Sequence, residues 1–260
     1  MYRIGCVPYL NAKLLTYKIT QNKDIDLILR PPSQLAKLVR NGKLDAVLLP
    51  SIEYFRHNDY MIISRSAITS HKKTGSVRLY HKKAIPYIKT VALDINSSTS
   101  NALAKILLEK VYKINPKYIT HNPTTSKNVN ADAMVTIGDI SFKYSTMPYI
   151  DLGSEWYKFT KLPFVYAMWV VNRKFATDTK KLLYLKHILT TSKKNGVKAI
   201  NQIARAEAKI LDLSPTFCLQ YLTDCIRYNL GKKEIGGLVL FHKYASELGL
   251  CKEDKTIDFV

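Results

Sequence analysis

No stretch of this 260-residue chain reaches the ~18 consecutive apolar residues of a membrane-spanning helix. Its charged start runs straight into a strand pattern, without a long apolar segment or a small-residue cleavage site, so no export signal is read and a cytoplasmic protein is expected. The four cysteines, Cys6, Cys218, Cys225 and Cys251, lack CxxC spacing. That argues against a zinc knuckle or a dithiol redox pair and leaves reduced, partly buried thiols. His, Cys and Asp make no ligand cluster and the glycines make no phosphate loop, so neither a metal nor a cofactor is expected. Acidic residues are scarce, 20 against 40 basic ones, for a net charge of +20. Such an excess invites nucleic acid. Yet the lysines fall in scattered pairs (Lys72-Lys73, Lys82-Lys83, Lys180-Lys181, Lys193-Lys194, Lys232-Lys233), with no run of five and no helix-turn-helix, RNA-reading aromatic strand or finger spacing. The reading is a solvated basic surface with no nucleic-acid partner, whose field favours the arrival of a small anionic substrate. Nothing in the residues specifies an oligomeric state.

What is present is enough apolar residue, 47%, for a large core or two lobes. Arg3 to Val7 is a short apolar run stopped by Pro8, and Asn11 follows at the start of a helical pattern, Leu14, Leu15, Tyr17 to Ile19. Asn11 is either the cap of that helix or a group delivered to the carboxyl edge of an open α/β sheet, where such folds bind ligands. Asp26 to Leu29 reads as a strand, and Ser33 as the cap of an amphipathic helix ended by Asn41-Gly42. Leu44 to Leu49 is a near-continuous apolar run, as in a strand buried on both faces, and ends in Pro50-Ser51. Two strands thus share one punctuation, strand then Pro then a polar residue then helix, which lines a sheet edge with amides suited to carboxylates. Met61 to Ile68, Ser76 to Tyr80 and Thr90 to Asp94 are further strands. Ser97-Ser98-Thr99-Ser100 then opens a helix with Leu103, Ile106, Leu107 and Val111 on one face; four hydroxyls exceed what capping needs and suit a carboxylate. Ala131 to Ile137 is a buried strand ending at Gly138-Asp139. Residues 146–161 read as an irregular connection holding Trp156, and Phe164 to Val171 as a long strand. From Thr177 on the pattern is helical, with helices near 180–190, 197–211, Pro215 to Leu230 and Lys233 to Leu248. The outline is one lobe from 1–86 plus 163–260, a second inserted at 87–162, a ligand cleft between them and hinge bending about two crossings.

These motifs in this order resemble the chorismate dehydratases of the futalosine route to menaquinone. The residues that carry it are Val7-Pro8-Tyr9-Leu10-Asn11-Ala12, Leu48-Leu49-Pro50-Ser51-Ile52-Glu53-Tyr54, Gly75-Ser76-Val77, Val91 to Asp94 with Ser97 to Ser100, and Ile137-Gly138-Asp139. Asp151-Leu152-Gly153 with Glu155-Trp156, Leu162 to Val165, Tyr228 to Gly231 and Gly237-Leu238…Phe241 complete it. The resemblance implies an α/β protein with the two-lobed fold of type II periplasmic binding proteins, mixed sheets flanked by helices. It implies a cofactor-independent hydro-lyase converting the dianion chorismate to 3-enolpyruvylbenzoate, with Asn11 as catalytic hydrogen-bond donor. Ser51, Ser76, Ser98, Thr99, Ser100, Gly138 and Asp139 would bind the substrate. For the general base three candidates stand: Asp139, Glu53 and the side-arm carboxylate of the substrate. The chain departs from the family in His71-Lys72-Lys73-Thr74 before Gly75, and in Ser98 where members carry arginine, with Lys72, Lys73 or Arg78 as the cations to compensate for it. The sister dihydroxynaphthoate synthase, whose first strand ends in a Ser-Pro-Cys-Pro-Asn-Asp type motif absent here, and a cytoplasmic binder of an aromatic carboxylate are the competing readings. Tyr9, Tyr54, Phe164, Tyr166 and Trp169 read as core or hinge packing, and the histidines pair with no nucleophile.

Overall fold

The computed structural model describes residues 1–125, 129–144 and 147–260. Among the described residues eleven strands form two sheets. The first takes β1 (Tyr2–Cys6), β2 (Ile25–Leu29), β3 (Ala46–Pro50), β4 (Tyr60–Ser70), β10 (Phe164–Asn172) and β11 (Arg227–Asn229) in the order β11-β4-β10-β3-β1-β2. The second takes β5 (Val77–His81), β6 (Thr90–Asp94), β7 (Lys117–His121), β8 (Ala133–Ile137) and β9 (Tyr149–Asp151) in the order β7-β6-β8-β5-β9. Both follow one plan. A parallel trio, β2-β1-β3 or β7-β6-β8, is extended by an antiparallel strand, β10 or β5. Parallel trios need helical crossovers on their faces, which explains the near-continuous apolar runs of β3 and β8, buried at every position.

The first crossing between sheets is residues 71–76, not Pro86. Val77–His81 pairs along its whole length with Ala133–Ile137 of the second sheet, while Pro86 lies in a short 3₁₀ turn beyond it. The return falls between α5 (Leu152–Thr160) and β10. Helices α1 (Leu10–Lys13), α2 (Pro32–Arg40), α3 (Ser51–Arg56) and α4 (Ser98–Lys110) each follow a strand end. Asn11 lies inside α1, whose N-cap is Tyr9, and α2 begins with Pro32 rather than being capped by Ser33. Proline suits that first turn because its missing N–H has no partner there.

The expected irregular connection at 146–161, of which residue 146 lies outside the described residues, is instead β9 and α5. Asp151 accepts the Ser154 N–H at 2.9 Å as its cap, and the fully buried Trp156 packs edge-on against Phe164 and Phe241. The C-terminal part contains α6 (Arg173–Ala176), α7 (Thr179–Lys198), α8 (Ile200–Leu211), α9 (Pro215–Gln220) and α10 (Lys232–Glu247). The helix expected to run unbroken from Pro215 to Leu230 stops after α9 in a π-turn, Tyr221–Cys225, and becomes the edge strand β11. Pairing with the free edge of β4 outweighs continuing the helix. Among the described residues no helix is long and apolar enough to cross a membrane.

Candidate functional site

The carboxyl ends of β1 and β3 in one sheet face those of β6 and β8 in the other across a cleft with about 580 Å³ of unfilled space, counting that open to solvent. Tyr9 and Asn11 come from the end of β1, Pro50 from β3, and Ser97 to Ser100 from the start of α4. Ile137 and Gly138 come from the end of β8, and Thr74 and Ser76 from the first crossing. None of the eighteen lining residues is Asp, Glu, Lys, Arg or His. The wall therefore offers neutral donors only: side-chain hydroxyls, one amide, and the first-turn N–H groups of α4. Ser97, the N-cap of α4, makes no side-chain capping bond, so no capping oxygen claims the amides that would receive an anion.

Two links close the cleft. The Thr99 hydroxyl accepts the Ile52 N–H of α3 at 3.2 Å, and both Asp139 oxygens accept the Leu10 N–H of α1 at 3.2 Å. Each joins a helix start in one lobe to a side chain in the other. Gly138 turns the chain here with φ +61°, and an added Cβ would meet the Tyr9 ring at 3.1 Å. Only glycine holds this geometry without strain.

The structure sorts the expected residues. Asn11, Ser76, Ser98, Thr99, Ser100 and Gly138 line the cleft. The Asn11 Oδ1 is buried without a hydrogen-bond partner, and the Ser76 Oγ lies 2.7 Å from the Tyr221 Oη. Ser51 does not line it: fully buried, it donates its hydroxyl to the Val165 carbonyl at 2.7 Å and fastens α3 to β10. Asp139 stands behind the wall, its carboxylate spent on Leu10, and burial pushes its pKa from the ordinary 3.8 to about 6. The buried Asp94 carboxyl, at the end of β6, is likewise raised to about 6 by burial. Tyr9 stands near both carboxylates, and burial, then their charge, raises its phenol.

Glu53 lies in an adjoining, more open groove, 2.7 Å from Arg56 and 3.8 Å from His57. That groove also holds Arg40, Lys105 and Asp94 and shares Ser98 with the inner cleft. Arg78 is buried but not in the cleft; it donates to the Gly75 and Ser141 carbonyls at 2.8 and 3.1 Å and stacks over Tyr149. Lys72 lies over the Tyr157 ring. Neither cation lines the cleft. Sequence reasoning missed Thr74, Tyr9 and Tyr166 as cleft residues. Tyr9, two residues before Asn11 on the same turn, was the legible one. Tyr166, whose hydroxyl is 2.9 Å from Ser70, and Thr74 reach the wall through packing of β10 against the crossing. Tyr54, Phe164 and Trp169 are buried core.

A model of a menaquinone-biosynthesis family matches residues 2–247. The chain belongs to that family. Two curated relatives are chorismate dehydratases. That of Thermus thermophilus is 28% identical over 239 residues, 84% of this chain and 85% of the relative. That of Campylobacter jejuni is 32% identical over 223 residues, 85% and 83% of the two chains. Among solved structures, a protein of Archaeoglobus fulgidus superimposes with TM-score 0.77 at 15% identity, covering 95% of this chain and 97% of that one. A Candida albicans protein described as having the generic periplasmic-binding-protein fold gives 0.65 at 10%, covering 100% and 98%. A ligand-binding component of an ABC-type importer from Staphylococcus aureus gives 0.67 at 11%, covering 100% and 95%. The fold is thus periplasmic-binding-protein-like, as expected from the sequence.

Proposed function

We propose that the chain is a cytoplasmic chorismate dehydratase, a carbon–oxygen lyase of the futalosine route that removes water from chorismate to leave 3-enolpyruvylbenzoate. The observation that carries the reading is a closed cleft lined by uncharged donors, in a chain similar over most of its length to chorismate dehydratases. The substrate carries one carboxylate on the ring and one on the enolpyruvyl arm. The hydroxyls of Ser98, Thr99 and Ser100 with the α4 amides receive one; Asn11 and Ser76, on the facing wall, receive the other. Elimination breaks the ring C–H beside the ether oxygen, turns its electron pair into the ring, and expels the neighbouring hydroxyl, which takes the abstracted proton back from the base and leaves as water. Aromatisation drives it, so the protein has only to hold, polarise and exclude water.

With Asp139 and Glu53 outside the lining, the arm carboxylate of the substrate is the base this site favours. Desolvation in an uncharged cavity raises its affinity for the proton, and Asn11 holds it over the C–H bond. A hydrogen bond to a charged group is worth about 1.5–3 kcal/mol, so Asn11→Ala should lower kcat/KM by about 10- to 150-fold. The test mixes purified protein with chorismate and follows enolpyruvylbenzoate by chromatography. Wild-type turnover in Asn11→Ala refutes its role. Chorismate binding without turnover would make the protein a binder, and neither binding nor turnover would point to the sister synthase.

A further inference from the structure

Thr74 brings to the cleft a hydroxyl that the fold itself does not use. The residue lines the cleft from the first crossing, beside Ser76, and is 1% exposed, yet its Oγ1 has no hydrogen-bond partner among the described residues. Its backbone is fixed. The buried Asp151 carboxylate accepts the N–H groups of Thr74 at 3.1 Å, Gly75 at 2.7 Å and Ser154 at 2.9 Å, so one side chain ties the crossing to the start of α5. Gly75 follows at φ +75°, where an added Cβ would lie 3.3 Å from the Cys225 Sγ and 3.4 Å from the Tyr221 ring. A β-branched side chain on a fixed backbone has few χ1 choices, so the hydroxyl stays within the protein. The neighbouring phenol does not take it up. Thr74 stands close enough to Tyr166 to favour its ionised form, but the Tyr166 hydroxyl is 2.9 Å from the Ser70 Oγ and makes no hydrogen bond with Thr74.

A hydroxyl left buried and unpaired costs stability, so such a group in a native fold calls for a reason. In this cleft the reason is chemical. With no Asp, Glu, Lys, Arg or His in the lining, a dianionic substrate is held by neutral donors alone, and every one of them bears on the desolvated charge. Ser76 shares its hydroxyl with the Tyr221 Oη at 2.7 Å, whereas the Thr74 proton is committed to no partner. A carboxylate accepts at about four lone-pair sites, so Asn11 and Ser76 leave room for a third donor. We propose that Thr74 is a substrate-binding residue: its hydroxyl donates to the arm carboxylate that Asn11 and Ser76 receive, which rests on the reading of the cleft given above. The bond forms in the ground state as well as in the transition state, so it tightens binding without raising kcat. It also draws charge from the carboxylate that serves as base, and so does not speed the proton transfer.

The test measures kcat and KM with chorismate, affinity for the product 3-enolpyruvylbenzoate by calorimetry, and melting temperature, for wild type, Thr74→Val and Thr74→Ser. Valine keeps the shape and removes the hydroxyl; serine keeps the hydroxyl. Thr74→Val should raise KM and weaken product binding about tenfold or more, with kcat within about threefold of wild type. Its melting temperature should rise by about 2 °C or more, because the lost hydroxyl had no partner in the free protein. Thr74→Ser should keep KM and product affinity within about threefold of wild type. A Thr74→Val with KM and product affinity within about twofold of wild type overturns the proposal, as does a melting temperature lowered by more than about 5 °C, which marks a hydroxyl already bonded in the fold. So does a Thr74→Ser as impaired as Thr74→Val, or a kcat lowered more than about tenfold at unchanged KM, since that bond would belong to the transition state alone. If the wild type neither turns over chorismate nor binds the product, the reading of the cleft falls and the proposal with it; a wild type that does both beside an unaffected Thr74→Val removes only the role of Thr74.

Discussion

Replacing Asp139 with asparagine separates structure from chemistry at the carboxylate nearest the cleft. In the folded chain both of its oxygens accept one backbone N–H, that of Leu10, and burial raises the carboxyl from 3.8 to about 6, with Glu207 adding repulsion and Lys13 opposing it. The folded state therefore prefers the protonated form. The stability this gives is complete below pH ~4 and is lost as pH rises through ~6. With these two values, linkage gives a cost of about 1 kcal/mol at pH 4.5 and about 3 kcal/mol at pH 7.5, a change of about 2 kcal/mol across the window. Asparagine carries no charge to desolvate, and its Oδ1 still accepts the Leu10 N–H. The stability of Asp139→Asn relative to wild type should rise by about 2 kcal/mol between pH 4.5 and 7.5, read as the shift in urea midpoint at constant m. Because the carboxylate is not in the cleft lining, turnover of chorismate at pH 7.5 should stay within about threefold of wild type. A relative stability flat with pH would refute the burial argument. Loss of turnover by more than ~100-fold would make Asp139 the base after all.

Ser51→Ala leaves the Val165 carbonyl without its donor inside the core, at a cost of about 1–2 kcal/mol. The melting temperature should fall by about 3–6 °C with KM unchanged, and a large rise in KM would return Ser51 to the substrate wall. Gly138→Ala puts a Cβ on a residue at φ +61° and against the Tyr9 ring. Steady-state kinetics should show at least a tenfold loss in kcat/KM, and melting a loss of about 1–2 kcal/mol; wild-type values in both would mean that Tyr9 has no fixed place in the cleft.

The parallel trios were legible because buried parallel strands are written as near-continuous apolar runs, as in Ala46 to Leu49 and Ala133 to Ile137, broken only by Thr136. The strand ends were legible too, since Pro8, Pro50 and Gly138 each stop a run where the chain must turn. This put Asn11, Ser98 to Ser100 and Gly138 on one cleft. The antiparallel fourth strands were harder. Val77–His81 carries no mark of which sheet it joins, and placing it in the first lobe moved the boundary to Pro86.

What the sequence determined by itself is local: which segments are apolar enough to be buried, where turn residues end them, and which polar groups follow those ends. Hydrogen-bond partners far apart in the chain were decided only in three dimensions. Ser51 directly follows one strand and Ser76 directly precedes another, yet the first spends its hydroxyl on Val165 and the second faces the cleft beside Tyr221, 145 residues away. Asp139 follows Gly138 directly, but the turn that aims the glycine at the cleft sends the carboxylate to the amide of Leu10. A polar side chain is functional or structural according to which partner reaches it first, and that depends on the packing of segments whose separation no local pattern records.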